Sequence, residues 1–435
     1  MKTYLLVPAV VIIVALILII FYFNSMPIIS RGEPQPVQVY FADHISLAHE
    51  LVIQKFNEKY KGWIEVIPVN LPFDKFSTNE RKELLARSLR SKSDRLDLYS
   101  VDQIWVPRFA KWSEPLDEYF SPAERANILI YALSSCAYDS VLVSVPLYID
   151  IGMMYYRRDI IQRLSDADQI EEKLKRSISW GELIQLRDRL KYRGKPFYIF
   201  QGNDYEGLVC NYFELLAGKD RQFFAQNTIQ LNSQTARSAL QQLVDFVNKE
   251  HISPASVVEF DENLSYRYML DSDAVFVRGW PNFIENFRQM YPDTAKINDL
   301  GRAALPHFAG QDPTSVFGGW NIMLSKYSTK KKEALEFVKF LQTKEIQELL
   351  FEVGGFIPVS NAVYADSQYM SQRPELAYYR QLLDHGFHRP ALKEYTKISD
   401  IISHYVRRAI SKELSVDEAL SKASQMIRSN KVLIK

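Results

Sequence analysis

Cysteine is scarce in this sequence, which has two, Cys136 and Cys210, among 435 residues. A small scaffold held together by disulfides needs a denser and regularly spaced set of cysteines, so that class of protein is excluded. An oxidising compartment would permit one bridge between the two, but the 73 residues that separate them form no motif. We therefore favour two separately buried thiols, which pack like small apolar side chains.

A net charge of either sign is also missing. Lys and Arg number 53 against 52 Asp and Glu, which gives a formal charge of +1, and no basic stripe is interleaved with aromatics. Nucleic-acid binding needs such a basic surface, so we expect no nucleic-acid partner. The chain is too long for a single core and is expected to form two or three domains.

The common catalytic and cofactor motifs are absent as well. The sequence contains no GxxxxGK[ST] phosphate loop, no GxSxG nucleophile elbow and no HExxH zinc motif. His385 and His388 have the spacing nearest to a metal site, but no carboxylate partner lies near them in sequence, and a structural role is favoured. A carboxylate pair for glycoside hydrolysis is assembled in space, so the sequence gives no sign of it in either direction. We expect no cofactor, no metal and no catalytic residue.

The one long hydrophobic run lies at the N-terminus. Tyr4 to Phe23 are 20 consecutive residues without a charge, enough to span a bilayer at about 1.5 Å per residue. No small-x-small cleavage site and no cysteine for lipid attachment follows the run. We predict an uncleaved transmembrane anchor at residues 4–23, with the remainder outside the cytoplasm, and a stiff proline-containing tether at residues 24–36.

Beyond the tether, the pattern predicts an α/β architecture. Val37 to Phe41 alternates like a strand, a helical stripe of apolar residues runs from Leu47 to Tyr60, and Ile64 to Val69 alternates again. Strand, helix, strand is the opening of a parallel sheet covered by helices. Asp102 follows a short predicted strand at residues 96–99, a position where open α/β sheets bind ligands.

The central stretch, Val145 to Ile160, has the sequence VPLYIDIGMMYYRRDI. We predict a strand that leaves one lobe and enters another past a ligand. Tyr148 and Asp150 are two residues apart and therefore share one face of an extended chain. A phenol ring beside a carboxylate suits a ligand rich in hydroxyl groups. The alternative is a half-buried strand whose aspartate is bonded by backbone groups.

Aromatic residues recur beside glycine or proline at strand ends, namely Trp105, Tyr148, Trp280 and Trp320. An indole or phenol face stacks on the apolar C–H face of a pyranose, while aspartate, arginine and asparagine bind its hydroxyl groups. Each ring taken alone is explained more simply as a core residue. Four rings in similar contexts favour a platform for a sugar.

Longer segments resemble a known family. They are DLYSVDQIWVPRFAKWSEPLDEYF from Asp97, PLYIDIGMMYYRRDII from Pro146, FVRGWP from Phe276, GGWNIMLSKYSTKKKEALEFVKF from Gly318, GGFIPVSNAVY from Gly354 and RPALKEYTKIS from Arg389. Together they resemble the extracellular solute-binding proteins of ABC sugar importers, above all the trehalose/maltose and multiple-sugar binders. The similarity covers nearly all of residues 37–435.

The resemblance implies an α/β, type II periplasmic-binding-protein clamshell, whose two lobes close on a saccharide in the cleft between them. The first lobe would hold residues 37–146 and 307–360, and the second residues 147–306 and 361–435. The protein would be a monomeric binding subunit without catalysis that delivers its sugar to permease subunits. The N-terminal helix would hold it at the cell membrane, with the binding lobes in the periplasm or outside the cell.

The resemblance also assigns ligand contacts, which act as hydroxyl acceptors, a wall, stacking rings and donors. Asp102 and Asp150 would accept from sugar hydroxyl groups, and Tyr148 would form a wall. Trp280 and Trp320 would stack on the sugar. Arg389 and Arg81 would donate hydrogen bonds. One departure concerns the start of the first helix, where related proteins often carry an acidic ligand contact. This chain has Ile45, Ser46 and Leu47 there, so the particular sugar can differ.

Three other functions stay open on the sequence alone. The same clamshell would serve a membrane sensor or regulatory module, which an adjacent sensor kinase gene would favour. An anchored carbohydrate-acting enzyme would need two carboxylates across the cleft. A carrier of a polyamine, a peptide or a metal chelate would have a cleft dominated by acidic groups, with Trp280 and Trp320 buried elsewhere.

Overall fold

The structure is a computed structural model that describes residues 35–72, 75–76, 78–92 and 95–429. The predicted anchor, residues 4–23, lies outside the described residues, and so does the tether at 24–36 except for its last two residues. Among the helices of the described ranges, none combines the length and the apolar character needed to cross a membrane.

The described strands form two larger sheets and one two-stranded hairpin. The strands are β1 Val37–Asp43, β2 Ile64–Asn70, β3 Leu98–Asp102, β4 Ala137–Tyr138, β5 Val141–Leu142, β6 Val145–Ile151, β7 Met153–Arg157, β8 Tyr198–Ile199, β9 Phe276–Gly279, β10 Leu300–Ala303, β11 Ser315–Leu324 and β12 Gly386–Phe387. The hairpin pairs β4 with β5.

Helices cover the sheets, as expected for an α/β protein. The α-helices are α1 Leu47–Lys59, α2 Thr78–Arg90, α3 Val106–Phe109, α4 Pro122–Ala126, α5 Ile130–Leu133, α6 Arg158–Ile161, α7 Ala167–Arg176, α8 Trp180–Arg189, α9 Glu206–Lys219, α10 Gln234–Asn248, α11 Glu262–Asp271, α12 Phe283–Met290, α13 Thr294–Asn298, α14 Lys331–Leu341, α15 Lys344–Gly354, α16 Asn361–Tyr364, α17 Ser367–Gln372, α18 Pro374–Leu383, α19 Tyr395–Ile410 and α20 Val416–Arg428. Short 3-10 turns occupy Gln103–Trp105, Ala110–Trp112 and Ala255–Glu259.

The first sheet has the order β12-β11-β3-β1-β2, and β6 also pairs with β11. Strand β1 runs parallel to both β2 and β3, which confirms the predicted strand, helix, strand opening. Helix α1 connects β1 to β2 in the chain and packs against the sheet, because Val52, Ile53 and Phe56 recur at helical spacing and are buried. Strand β11 is antiparallel to β3 and to β6.

The second sheet has the order β10-β7-β9-β8. Strand β7 is antiparallel to β9 and to β10, and β8 is parallel to β9. The chain passes from the first sheet to the second at Gly152, the single residue between β6 and β7. A Cβ at Gly152 would collide with the Glu214 carboxylate and approach Arg278, so a larger residue there would displace this buried pair. The crossing in this stretch was predicted, whereas the exact division into lobes stays a prediction.

Two further expectations are met in the core and at a helix end. Cys136 and Cys210 are both buried and unbonded to each other, which confirms the prediction of two separate thiols. Helix α15 ends where the GG pair predicts, because Gly355 adopts a left-handed φ of +67° at its C-cap. The tail beyond residue 399 continues α19 and then forms α20, whose start Ser415 caps with its side chain.

Candidate functional site

Three neighbouring strands bring four of the predicted ligand residues together. Trp320 in β11 lies opposite Asp102 in β3 and, on the other side, opposite Tyr148 in β6. Two positions further along the same pair of strands, Gly318 lies opposite Asp150. Asp102 is the last residue of β3, so the site lies at the carboxyl end of the parallel strands, as open α/β sheets favour.

Asp102 and Arg389 form a charged contact across the site. The Asp102 carboxylate caps the following 3-10 turn by accepting from the Ile104 N–H at 3.1 Å. Arg389 Nη2 donates to Asp102 Oδ1 at 3.2 Å and to the Phe317 carbonyl at 3.3 Å, while Nη1 donates to Glu206 Oε1 at 2.7 Å. Burial by itself would lower the pKa of Arg389, but the neighbouring Asp102, Cys210 and Glu206 raise it well above its ordinary value. The guanidinium therefore stays charged.

Arg81 reaches the same site from α2. Its Nη2 donates to Asp43 Oδ1 at 2.9 Å, and its guanidinium carbon lies 4.2 Å from the centroid of the Trp320 ring. The side chain is fully buried, and burial lowers the pKa of Arg81. Trp320 also meets the edge of Trp105, with ring centroids 5.3 Å apart. Arg81 and Trp105 thus both pack against Trp320, whose residue exposure is 8%. The stacking of this ring on a sugar stays a prediction.

Trp280 comes from the second sheet, where it directly follows β9. Its indole N–H donates to Glu262 Oε1 at 3.3 Å, and its backbone N–H donates to the Tyr266 hydroxyl at 2.9 Å. The Arg278 guanidinium carbon lies 3.9 Å from the ring centroid. Glu262 and Arg278 therefore hold the ring, and Tyr266 holds its backbone, while the ring remains half-buried.

The paired glycines of β11 make room for this approach. A Cβ at Gly318 would lie 2.8 Å from Trp280 Cζ3 and 3.1 Å from the Asp150 Cβ, so the bare backbone lets the Trp280 ring pack beside Asp150. Gly319 has a φ of +121°, and a Cβ there would lie 2.5 Å from the Tyr148 carbonyl oxygen. Both glycines are needed for close approach, as the break in the predicted strand indicated.

Asp150 is a buried carboxylate with an unused acceptor. Its residue exposure is 7%, and no described residue donates a hydrogen bond to Oδ1. The interpretation in which backbone groups bond this oxygen is therefore not what the described residues show. Burial and the nearby Asp102 raise the pKa of Asp150 to about 7, while Arg278 opposes the rise. Such an atom is costly to leave unpaired and marks a place for a ligand group.

Tyr148, the predicted wall of the site, packs against one aromatic neighbour. Its ring stacks on Phe356, with centroids 4.3 Å apart and planes 28° apart. Burial, followed by the charges of Asp150 and Asp43, raises the pKa of Tyr148 well above its ordinary value. The hydroxyl therefore keeps its proton and can act as a donor.

Sequence reasoning missed several residues that shape the site: Asp43, Glu206, Glu214, Arg278 and Phe356. Asp43 ends β1 as Asp102 ends β3, so the signal that selected Asp102 would also have selected Asp43. Glu206 and Glu214 lie in α9, which is almost entirely buried. Carboxylates within such an apolar helix are a usable signal, because buried charges are usually paired.

The histidine pair does not form a metal site. His388 Nε2 is 2.8 Å from the Ser134 hydroxyl, and its ring lies 4.7 Å from that of Phe317. Burial lowers the pKa of His388 to about 4, so the ring is neutral. Among the residues that the structure describes, no group of three or more His, Cys, Asp or Glu side chains is placed to hold a metal ion.

Two α/β sheets joined by a strand crossing, with aromatic rings and charged pairs between them, define the class of two-lobed binding proteins. Solved structures of that class share the fold. The maltose-bound MalE3 of T. maritima has a TM-score of 0.80 at 25% identity, covering 91% of this chain and 100% of that chain. A solute-binding protein of Thermotoga lettingae has a TM-score of 0.76 at 22% identity, covering 91% and 99%.

Sequence comparison then gives the family. The bacterial extracellular solute-binding proteins match residues 41–348, more than half of the chain. The chain therefore belongs to this family, which consists of solute-binding proteins that act outside the cytoplasm, and the predicted resemblance is confirmed. A probable ABC transporter-binding protein of Deinococcus radiodurans is 24% identical over 396 residues, which cover 86% of this chain and 91% of the relative.

Proposed function

We propose that this protein is the substrate-binding component of an ABC importer and captures a saccharide, a disaccharide or a longer one, between its two sheets. The observation that carries the ligand class is the packing of the Trp280 ring beside the Asp150 carboxylate over Gly318. A ring face binds the C–H face of a sugar, and an unbonded carboxylate accepts from its hydroxyl groups. A protein of the same fold is bound to maltose, and another to α-D-tagatose.

The remaining residues supply polar contacts around that pair. Tyr148 donates from one wall, and Asp102 accepts from the end of β3. Arg389 and Arg81 donate, each held in place by a carboxylate partner at 2.7 Å and 2.9 Å, respectively. The Trp320 ring contributes a second aromatic surface. A polyamine carrier would have both tryptophans buried elsewhere, whereas Trp280 and Trp320 both lie at this site.

Capture works by closure of two lobes. The first lobe holds residues 37–146 and 307–360, the second residues 147–306 and 361–435, and a ligand that touches both stabilises the closed state by its differential affinity. The closed monomer then docks on permease subunits and performs no catalysis. Residues 4–23 anchor the protein, and the tether at 24–36 keeps it near the permease, which raises its local concentration.

Thermal unfolding of the full-length protein in detergent tests this function. The ligand panel contains maltose, trehalose, tagatose, spermidine and a tripeptide. A saccharide at about 100 times its dissociation constant should add about 2.7 kcal/mol of stability, with no product formed. Stabilisation by spermidine or the peptide, and by none of the sugars, would refute the saccharide and leave the carrier role.

Trp280→Ala should abolish the sugar-dependent stabilisation, because the stacking platform is lost. The matched control is Trp63→Ala, since this ring is 54% exposed and lies at the start of β2, at the opposite end of the strands from the site. It should leave the stabilisation unchanged. Equal behaviour of the two variants would show that the sugar binds elsewhere.

A further inference from the structure

Arg278 carries a buried hydrogen-bond donor that has no role in the site described above. The residue is 0% exposed in β9 of the second sheet. Its Nη2 donates to Glu214 Oε1 at 2.7 Å and its Nε to Glu214 Oε2 at 3.3 Å, so one edge of the guanidinium is satisfied. The remaining nitrogen, Nη1, has no hydrogen-bond partner among the described residues. Because Nε and Nη2 form the edge that faces Glu214, Nη1 is directed away from Glu214.

The unused acceptor of Asp150 and this unused donor share neighbours. Gly152, two residues along the crossing from Asp150, would place a Cβ 2.9 Å from Arg278 Nη2. The Trp280 ring, which stacks on the guanidinium at 3.9 Å, also packs against the Gly318 backbone next to the Asp150 Cβ. Asp150 and Arg278 do not bond to each other directly. One acceptor and one donor, both buried and both without a partner among the described residues, thus lie near the same Trp280 ring.

The chemistry of an occupant follows from these two atoms. A buried unpaired donor or acceptor costs about 1–3 kcal/mol, so a group that satisfies both is strongly favoured. An ammonium group only donates, and a carboxylate only accepts, whereas a hydroxyl group accepts from a guanidinium and donates to a carboxylate at once.

We propose that Arg278 and Asp150 bind one and the same hydroxyl group of the saccharide, beside the ring of Trp280, and that this pair determines specificity. The inference rests on the proposed function. A sugar that lacks this hydroxyl leaves two buried groups unpaired and is rejected more strongly than one that only loses an apolar contact. The protein therefore discriminates at that single position of the sugar.

The test is a double-mutant cycle on the full-length protein, with binding of maltose, trehalose and tagatose measured by calorimetry. Asp150→Asn and Arg278→Lys should each weaken binding about 10- to 100-fold, and the double variant should lose no more than the weaker-binding single variant. Arg278→Lys keeps a positive charge beside Glu214. The control is Arg157→Lys, another buried arginine of the second sheet, which pairs with Asp159 and Asp273 away from the site; its effect should be near onefold.

Three results are distinguishable. If the wild-type protein binds a saccharide and the two single losses multiply, Arg278 and Asp150 act on different groups and the inference is wrong. If it binds none of the three saccharides, the proposed function fails and the inference fails with it. If Arg278→Lys does not fold, mono-deoxy analogues of the bound sugar replace it. The wild-type protein should bind one of these analogues 10- to 100-fold more weakly than the intact sugar, whereas Asp150→Asn should bind that analogue and the intact sugar almost equally. If every analogue loses affinity to the same extent, the inference is wrong.

Discussion

The Asp150 carboxylate is expected to destabilise the folded protein as the pH rises. Burial, then Asp102, raises its pKa from 3.8 to about 7. Between these values the folded state holds a proton that the unfolded chain has released, so the folded state binds more protons and its stability falls with rising pH. The contribution of the Asp150 proton to the free energy of unfolding is fully present below about pH 4 and is lost as the pH rises through about 7. At about 1.4 kcal/mol per pKa unit, ionisation costs about 4 kcal/mol.

Asp150→Asn removes this titration while it keeps the shape of the side chain. Denaturant unfolding of wild type and variant, followed between about pH 4 and pH 8, gives the difference in unfolding free energy. Subtracting the unfolding free energy of wild type from that of the variant cancels the pH dependence of the other carboxylates. Several of these also have raised pKa values because they are buried. We expect the variant to gain about 4 kcal/mol on the wild type across this range.

The control for this experiment is Asp312→Asn, at a side chain that is 80% exposed. Its unfolding free energy should stay within about 1 kcal/mol of wild type, because an exposed ion pair contributes little stability. A difference for Asp150→Asn that is flat with pH would refute the reasoning. It would mean that Asp150 is hydrated or paired in solution and is not an open acceptor in the site.

Two further predictions concern the scaffold of the site. Gly319→Ala should lower the free energy of unfolding by at least about 2 kcal/mol in thermal unfolding, because φ is +121° and the Cβ would meet the Tyr148 carbonyl. The control is Gly181→Ala, which has open space around its Cβ and should be neutral or gain up to about 1 kcal/mol. Arg389→Met should cost about 3–5 kcal/mol, because Glu206 is left buried without its cation. Adding Glu206→Gln should restore part of that loss; no recovery would show that Glu206 is not the source.

Much of the fold could be predicted because local patterns agree with it. Alternation in β1 and β2 and the apolar stripe of α1 predicted the parallel opening of the first sheet, since periodicity reports which face of an element is buried. The left-handed end of α15 at Gly355 follows from local backbone chemistry alone. The start of α20 is equally local, because Ser415 and Glu418 form a capping box within four residues.

Part of the site is also local. Tyr148 and Asp150 share a strand, and their common environment follows from a spacing of two residues. Asp102 was found because it ends a strand of a parallel sheet. Arg278, by contrast, is one residue of FVRGWP, and nothing in that motif indicates that two of its nitrogens pair with Glu214, 64 positions earlier.

The sequence by itself determined the α/β class, the family and the strand that crosses between the sheets, because period, turn chemistry and motif order are properties of the chain. Only the tertiary structure decided which charges are paired and which are left open. Pairing depends on atoms that distant segments bring within about 3 Å, and burial then sets its free energy. Asp150 and Arg278 show this most clearly, since each keeps one unpaired atom only because of where the two sheets meet.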